Sequence, residues 1–395
     1  MTLRSYQVLW IQIFTRMKEA IVQPSIEAVE VIESPIPIPA DGEVVIKVIV
    51  AGTNPKDWKM PNWNNHPHNS GDDMAGFVHA IGGLVKAFRI GDRVAAYHRS
   101  GHPHGSFAEY AVAPEHMAFH IPESLSFEEA ATIPLASQTA ALALFVDLKL
   151  PLPFIQETLP VESLMRREPL LIYGVTSACG AFAAKLARLS GVGPIIGVAG
   201  RAEEFAKTLV DYVVDYRNGE DRLVASIEEI LKKEGLPAKL PKVFDAISEN
   251  GSLEAILRII DPDIGVVSTL LPPKLFAKDK EAYRYPKAVT AINTAAPKLF
   301  NVHKEFGYVW SRYTSWLLQE QRLVGHPFEV VPGGLHGVLT GLRKLYEGKA
   351  SAVKFVYRIG ETGDLGMVRL EAEGIQIAAV SDAVVGFPFN DAKSD

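Results

Sequence analysis

Cysteine is nearly absent: 395 residues contain one, Cys179. A lone thiol excludes an intramolecular disulfide and any cysteine-rich zinc site, and it suits a reducing compartment. Charge of one sign is not in surplus either. With a formal net charge of −6 and a pI near 6.0, the chain offers no broad cationic surface, so neither nucleic acid nor an anionic membrane is an expected partner. Long apolar runs near the N-terminus are also missing. VLWIQIF, within residues 1–16, is too short to span a bilayer and is not followed by a clear cleavage site, so the sequence predicts a cytoplasmic protein with a short N-terminal extension. There is no internal repeat, coiled coil or low-complexity segment. What is present is a globular balance, 48 % hydrophobic and 22 % charged, over a length that suits two domains.

The order of patterns is asymmetric. From Met17 to about Ser124, short strands such as MKEAIVQ, EVVIKVIVAG, GFVHAIG and DRVAAYH alternate with Gly/Pro/Asn/Asp turns. SFEEAATIPLASQTAALALF then reads as a helix capped by Ser126, with Glu128 and Glu129 in its first turn. From Pro169 to about Leu271, strands alternate with helices, as a doubly wound parallel sheet requires. GLHGVLTGLRKLYEGKAS reads as a helix and VKFVYRI as a strand, after which GIQIAAV and AVVGFPF are candidate strands in a peripheral tail. The chain is therefore predicted to be α/β, a β-rich domain interrupted by a dinucleotide domain. Its divisions are an extension at 1–16, a β-rich domain at 17–137, a dinucleotide domain at 138–302, a return to the first domain at 303–360, and a tail at 361–395.

The most informative segment is LLIYGVTSACGAFAAKLARLSG, a buried strand, a small-residue turn and the opening of an amphipathic helix. Backbone N–H groups in such a turn, together with a helix N-terminus, can hold a pyrophosphate. The turn keeps Gly174 and Gly180, while Val175 and Ser177 replace two glycines of the usual fingerprint. Cys179 within it reads either as an activated thiol or as small-residue filler. About twenty residues after Gly180, the strand PIIGVA ends in Gly200 and Arg201, where an adenine ribose would lie. An arginine with no carboxylate before it suits a 2′-phosphate, which favours NADPH over NADH; a solvated surface cation is the other reading. A third strand ends in Asp215, Tyr216 and Arg217, whose ring and guanidinium can border the adenine.

Taken in order, AGTNPKDWKMP, SGDDMAGFVHAIG, GDRVAAYH, GSFAEYAV, EEAATIPLASQTAALAL, the cofactor turn, VVDYRNG, SENGS and EGKASAVKFVYRI resemble the medium-chain dehydrogenase/reductase superfamily over residues 17 to about 360. Within it the likeness is to the zinc-free quinone and enoyl reductases, and most of all to ToxD-like fungal dehydrogenases and the trans-acting enoyl reductases that serve polyketide synthases. The resemblance implies a GroES-like catalytic domain around a Rossmann domain. It also implies an NADPH-dependent enoyl reductase acting on a polyketide thioester held by an acyl carrier domain. A quinone or free enone reductase and a non-catalytic NADPH-binding protein stay open beside it.

Where zinc-dependent members carry a cysteine and a histidine, this chain has Asn54 and Asp72, and near their third ligand it has Pro134, Leu135 and Ala136, so no metal is expected. The doublets His66-Pro67-His68 and His102-Pro103-His104 read as solvated or locally hydrogen-bonded loop histidines, the other reading being four imidazoles brought together if the two loops met. The resemblance places Lys56, Asp57, Trp58 and Lys59 at the nicotinamide end. It places Thr176, Ser177, Ala178 and Cys179 at the phosphates, Gly200 and Arg201 at the ribose phosphate, and Tyr216 near the adenine. Leu270, Leu271, Ser351 and Ala352 then close the site. Lys59, Thr139 and Asn54 are the candidate catalytic residues. For Lys59 the other reading is an ion pair with Asp57 or Asp72; for Thr139 it is a structural helix hydroxyl. Thr139, Ala140, Leu142, His303, Phe306 and Gly307 are expected on the substrate side, and the proton donor is left open among His303, Tyr308, Lys59 and water.

Overall fold

The first third of the chain folds as strands because short runs rich in β-branched and small apolar residues are separated there by turn residues. A computed structural model of the chain describes residues 16–156, 166–278 and 284–369. The N-terminal VLWIQIF and the candidate strands GIQIAAV and AVVGFPF lie outside the described residues. β1 (Arg16–Val22) and β2 (Ala28–Pro35) pair antiparallel, with Ala20 opposite Val31 and Val22 opposite Val29 in the core. β3 (Glu43–Gly52) is apolar through most of its length because it is central. β4 (Asp73–Ile81) runs antiparallel to it on one side, followed by β5 (Arg93–Tyr97), while β6 (Tyr110–Pro114) pairs with it on the other; β7 (Ala118–His120) pairs with β5.

A helix, α1 (Lys56–Asn64), lies between β3 and β4 in the chain. The predicted long helix from Ser126 is divided. α2 (Phe127–Ala130) starts at Ser126, whose Oγ accepts from Glu129 N at 3.1 Å, and α3 (Pro134–Ala141) starts afresh because Pro134 has no N–H to continue the ladder. α3 runs on into a π-helical stretch, Leu142–Asp147. Phe127–Asp147 is long and apolar enough to cross a membrane, yet 83 % of its most apolar window is buried within the protein, the pattern of a core helix.

Next come β8 (Arg166–Tyr173), α4 (Ala178–Leu189), β9 (Val192–Ala199), α5 (Glu203–Leu209) and β10 (Tyr212–Asp215). They are followed by α6 (Glu220–Lys233), β11 (Lys242–Asp245), α7 (Ser252–Ile259), β12 (Val266–Thr269) and β13 (Thr290–Asn293). The strands are parallel in the spatial order β10-β9-β8-β11-β12-β13, so the chain winds outward twice from the centre and leaves a switch point between β8 and β11. Leu171, Ile196, Val198, Val243 and Val267 from the strands pack against Val224, Ile227 and Leu231 of α6 and Ile256 and Ile259 of α7. Each such burial stabilises the fold by about 1.5–3 kcal/mol.

The chain forms two compact units. Of the described residues, one holds those up to Ala131, those of Phe328–Lys349 and those from Phe355 onward; the other holds those within Thr132–Pro327 and Ala350–Lys354. These bounds differ from those read in the sequence at 137/138 and 302/303. Residues 303–327 stay with the parallel-sheet unit because α8 (Lys304–Gln319) packs onto α3 there: Gln138 Nε2 donates to Ser311 Oγ at 2.8 Å, and Trp310 lies 4.9 Å from the ring of Phe145. The first unit is completed by β14 (Phe328–Val330), α9 (Val338–Tyr346), most of β15 (Lys354–Arg358), and β16 (Gly366–Arg369), which pairs antiparallel with β2.

Candidate active site

In the parallel-sheet unit the turn after β8 is shaped by backbone rather than by side chains. Gly174 sits at φ +76°, and a Cβ there would meet Ile247 Cγ1 at 2.3 Å; a Cβ on Gly180 would meet Gly174 O at 2.3 Å. Both positions therefore demand glycine, the first for conformation and the second for the close approach of helix to strand. Ser177 caps α4, its Oγ accepting from Gly180 N at 3.1 Å. The half-buried Thr176, Ala178 and Cys179 complete the turn at the positive end of a 12-residue helix. This cradle lies at the end of β8, beside the switch point of the sheet.

Neighbouring strand ends supply the rest. β9 and β10 run in register, with Ala199 beside Asp215, so Gly200 touches Tyr216: a Cβ on Gly200 would meet the ring at 2.7 Å. Arg201 follows on the exposed side. Arg217 is held by Asp215, at 2.6 Å from Nη2 and 3.0 Å from Nε. At the end of β11 is a residue that sequence reading missed. Asp245 is fully buried and accepts from Ile247 N at 3.0 Å, Ser248 N at 2.8 Å and Ser252 Oγ at 2.7 Å. Burial pushes its carboxyl up from 3.8 to about 6, with those hydrogen bonds opposing. Ser248, at φ +59°, in turn accepts from Leu270 N at 2.8 Å, which fixes the end of β12 where Leu270 and Leu271 lie half-buried. The chain segment with Ser351 and Ala352 belongs to this same unit, and Ala352 takes φ +54°, a strained conformation for a residue with a side chain. KVFDAI announces a strand, but the Asp-x-x-Ser brace was legible only as a short polar pair after it.

Thr139 is buried, and its Oγ1 donates to Leu135 O at 2.7 Å. Ala140 and Leu142 are fully buried. His303 stands at the N-terminus of α8, Gly307 is buried, and Phe306 stacks on Trp310 with centroids 5.8 Å apart. Tyr308 is 45 % exposed, with the Arg312 guanidinium 5.3 Å from its ring.

In the β-rich unit, α1 gathers a second set. Pro61 inside the helix cannot donate to Asp57 O, and Ser70 Oγ takes that place at 2.7 Å. Asn54 is pinned twice: its N donates to Asp57 Oδ2 at 2.7 Å and its Nδ2 to Asp73 Oδ2 at 2.9 Å. Lys56 Nζ reaches Asp72 Oδ2 at 2.7 Å and Asp57 Oδ1 at 2.9 Å. Ser100 Oγ donates to Asp72 and lies 3.1 Å from Tyr97 Oη. The lysine that meets both carboxylates is thus Lys56, a role the sequence reading had offered to Lys59. Burial works against the Lys56 ammonium, but Asp57 and Asp72 outweigh it and raise its pKa; burial raises both carboxyls as well. Lys59 is also buried, 5.4 Å over the ring of Trp58, which packs edge-on against Tyr346 of α9.

The histidine doublets do not combine. His66 and His68 stack on each other with centroids 6.1 Å apart, and among the described residues no group of three or more His, Cys, Asp or Glu is arranged to hold a metal ion.

The alcohol dehydrogenase GroES-like domain family matches residues 40–123. A putative zinc-dependent alcohol dehydrogenase protein from Rhizobium etli superposes on this chain with a TM-score of 0.71 at 23 % identity, over 87 % of this chain and 98 % of that one. The CurK enoyl reductase does so with 0.69 at 19 %, over 86 % and 98 %. A GroES-like domain interrupted by a doubly wound parallel sheet is the architecture of a medium-chain dehydrogenase/reductase. Over 328 residues the chain is 39 % identical to the trans-enoyl reductase fsr4 of Gibberella fujikuroi, covering 81 % of this chain and 92 % of that protein. Over 355 residues it is 31 % identical to the trans-enoyl reductase ACTTS2 of Alternaria alternata, covering 87 % and 99 %. The chain belongs to the trans-enoyl reductase family.

Proposed function

We propose that this chain is an NADPH-dependent, metal-independent enoyl reductase that acts in trans on an α,β-unsaturated thioester carried by a polyketide synthase acyl carrier domain, in secondary metabolite biosynthesis. The observation that carries the reading is the glycine-dependent cradle of Gly174 and Gly180 at the switch point of the sheet. The names of the relatives support the substrate class. When bound, NADPH supplies hydride to the β-carbon of the substrate. The backbone from Gly174 to Gly180 and the start of α4 hold the pyrophosphate, Arg201 pairs with the 2′-phosphate, and Tyr216 borders the adenine. Leu270, Leu271, Ser351 and Ala352 enclose the nicotinamide end, with Ser248, itself held by Asp245, fixing the first of these.

On the substrate side the chain has to orient two carbons and stabilise charge that grows on the thioester oxygen as the β-carbon is reduced. With its one proton given to Leu135 O, Thr139 Oγ1 can only accept from a ligand, which suits it to orient an amide N–H. Asn54 and the Lys59 ammonium are the electrostatic residues in this reading, with Lys56 and Asp57 acting as support. The α-carbon then takes a proton. Absorbance of NADPH followed with purified protein and a panel of enoyl thioesters, quinones and free enones tests the proposal. Turnover of enoyl thioesters, faster when they are presented on a carrier domain, is the expected result; oxidation by quinones alone overturns it.

A further inference from the structure

Lys56 has surroundings that resemble a metal coordination sphere. Its Nζ lies 2.6 Å from Ser70 O, 2.7 Å from Asp72 Oδ2 and 2.9 Å from Asp57 Oδ1, three oxygens closing on one charge, with the stem of the lysine as the fourth direction. The residues that supply these oxygens are held by contacts that do not involve Lys56. Asp57 accepts from Asn54 N, Ser70 donates to Asp57 O, and Asp72 accepts from Ser100 Oγ. His98 N also donates to Asp72 O, at 2.8 Å. The cage is therefore built by the fold, and both carboxylates are enclosed, Asp57 at 0 % and Asp72 at 1 % exposure, with Asp73 a third buried acid beside them. Buried carboxylates so close together demand a cation or a proton. Two carboxylates and a carbonyl are the oxygen donors that calcium, magnesium and manganese prefer.

We propose that Lys56 is a tethered cation: its ammonium fills a three-oxygen cage that would otherwise take a divalent metal ion, and by fixing Asp57 it positions Asn54. For the wild-type chain this rests on the metal-independent reading above; for a variant without the lysine it stands alone. Lys56 is a positioning residue in this arrangement, acting on Asn54 through the carboxylate that Asn54 N grips.

The test uses the full chain with Lys56→Ala, which opens the cage and leaves its oxygens. Manganese(II) is titrated while free ion is followed by electron paramagnetic resonance, beside thermal unfolding and NADPH oxidation. Wild type should leave manganese free and unfold at the same temperature with or without it. K56A should take up one equivalent, unfold at a higher temperature when manganese is present, and lose that uptake when Asp72→Asn is added. Methylammonium, which restores the charge without the stem, should recover part of the lost turnover in K56A and do nothing for wild type. If K56A accumulates unfolded, manganese or methylammonium present during refolding should recover it. A K56A protein that ignores both cations, folded or during refolding, overturns the proposal. So does uptake that survives D72N, or equal uptake by wild type. Zinc found by elemental analysis elsewhere in wild-type protein would overturn metal independence instead and leave the K56A result standing.

Discussion

Arg201 follows the strand that ends beside Tyr216, and no carboxylate precedes it in the turn. Arg201→Ala should weaken NADPH binding by roughly 1.5–3 kcal/mol, the worth of a hydrogen bond to a charged group, and leave NADH almost unchanged. Titration of both cofactors by fluorescence checks this, and equal losses would remove Arg201 from phosphate recognition. Single residues were legible where local chemistry decides them. Gly180 could be read as closing the turn because its partner Gly174 lies six residues away, whereas Ser177, read as a replaced glycine, caps α4. The lysine of KDWK that meets the acids could not be read. Asp72 reaches Lys56 only because β3 and β4 pair antiparallel, with Gly52 opposite Asp73, and that pairing is a long-range fact.

The turn that closes β11 behaves as one element, with Asp245 at its centre. Its folded carboxyl titrates near 6, above the ordinary 3.8, so this group favours the folded state fully below the ordinary value. That contribution is lost as pH rises through about 6. Asp245→Asn keeps acceptors for the two backbone N–H groups and a donor for Ser252, yet cannot ionise. The thermal midpoint of wild type should therefore fall relative to that of D245N between about pH 4 and pH 7, by an amount on the order of 3 kcal/mol of stability. Parallel pH profiles would contradict this. Among larger elements, β8 and α4 were plain in the sequence because an apolar run, glycines and a helical stripe follow one another. The π-helical stretch Leu142–Asp147 was not, since its apolar residues satisfy either winding and packing selects between them.

At the scale of the whole chain, the sequence carried the order of domains but not their edges. The aromatic residues Phe306, Trp310 and Tyr313 suit a helix against either unit, and only the packing of Trp310 on Phe145 and the hydrogen bond from Gln138 to Ser311 assign residues 303–327 to the parallel sheet. Similarly, Ser351 and Ala352 lie late in the chain yet belong to the unit that holds the glycine cradle. The candidate site was thus legible as a set of strand ends, while the hydrogen bonds that brace it, from Asp245 and Ser248 to Leu270, depend on which strands become neighbours. The central claim is hydride transfer to the β-carbon of an enoyl thioester. NADPH carrying deuterium at the transferring position, supplied with a carrier-bound enoyl substrate in ordinary water, follows that atom directly. Mass and NMR analysis of the saturated product should find deuterium at the β-carbon and hydrogen from solvent at the α-carbon; a product labelled at the α-carbon, or label transferred only to a quinone, would contradict the account.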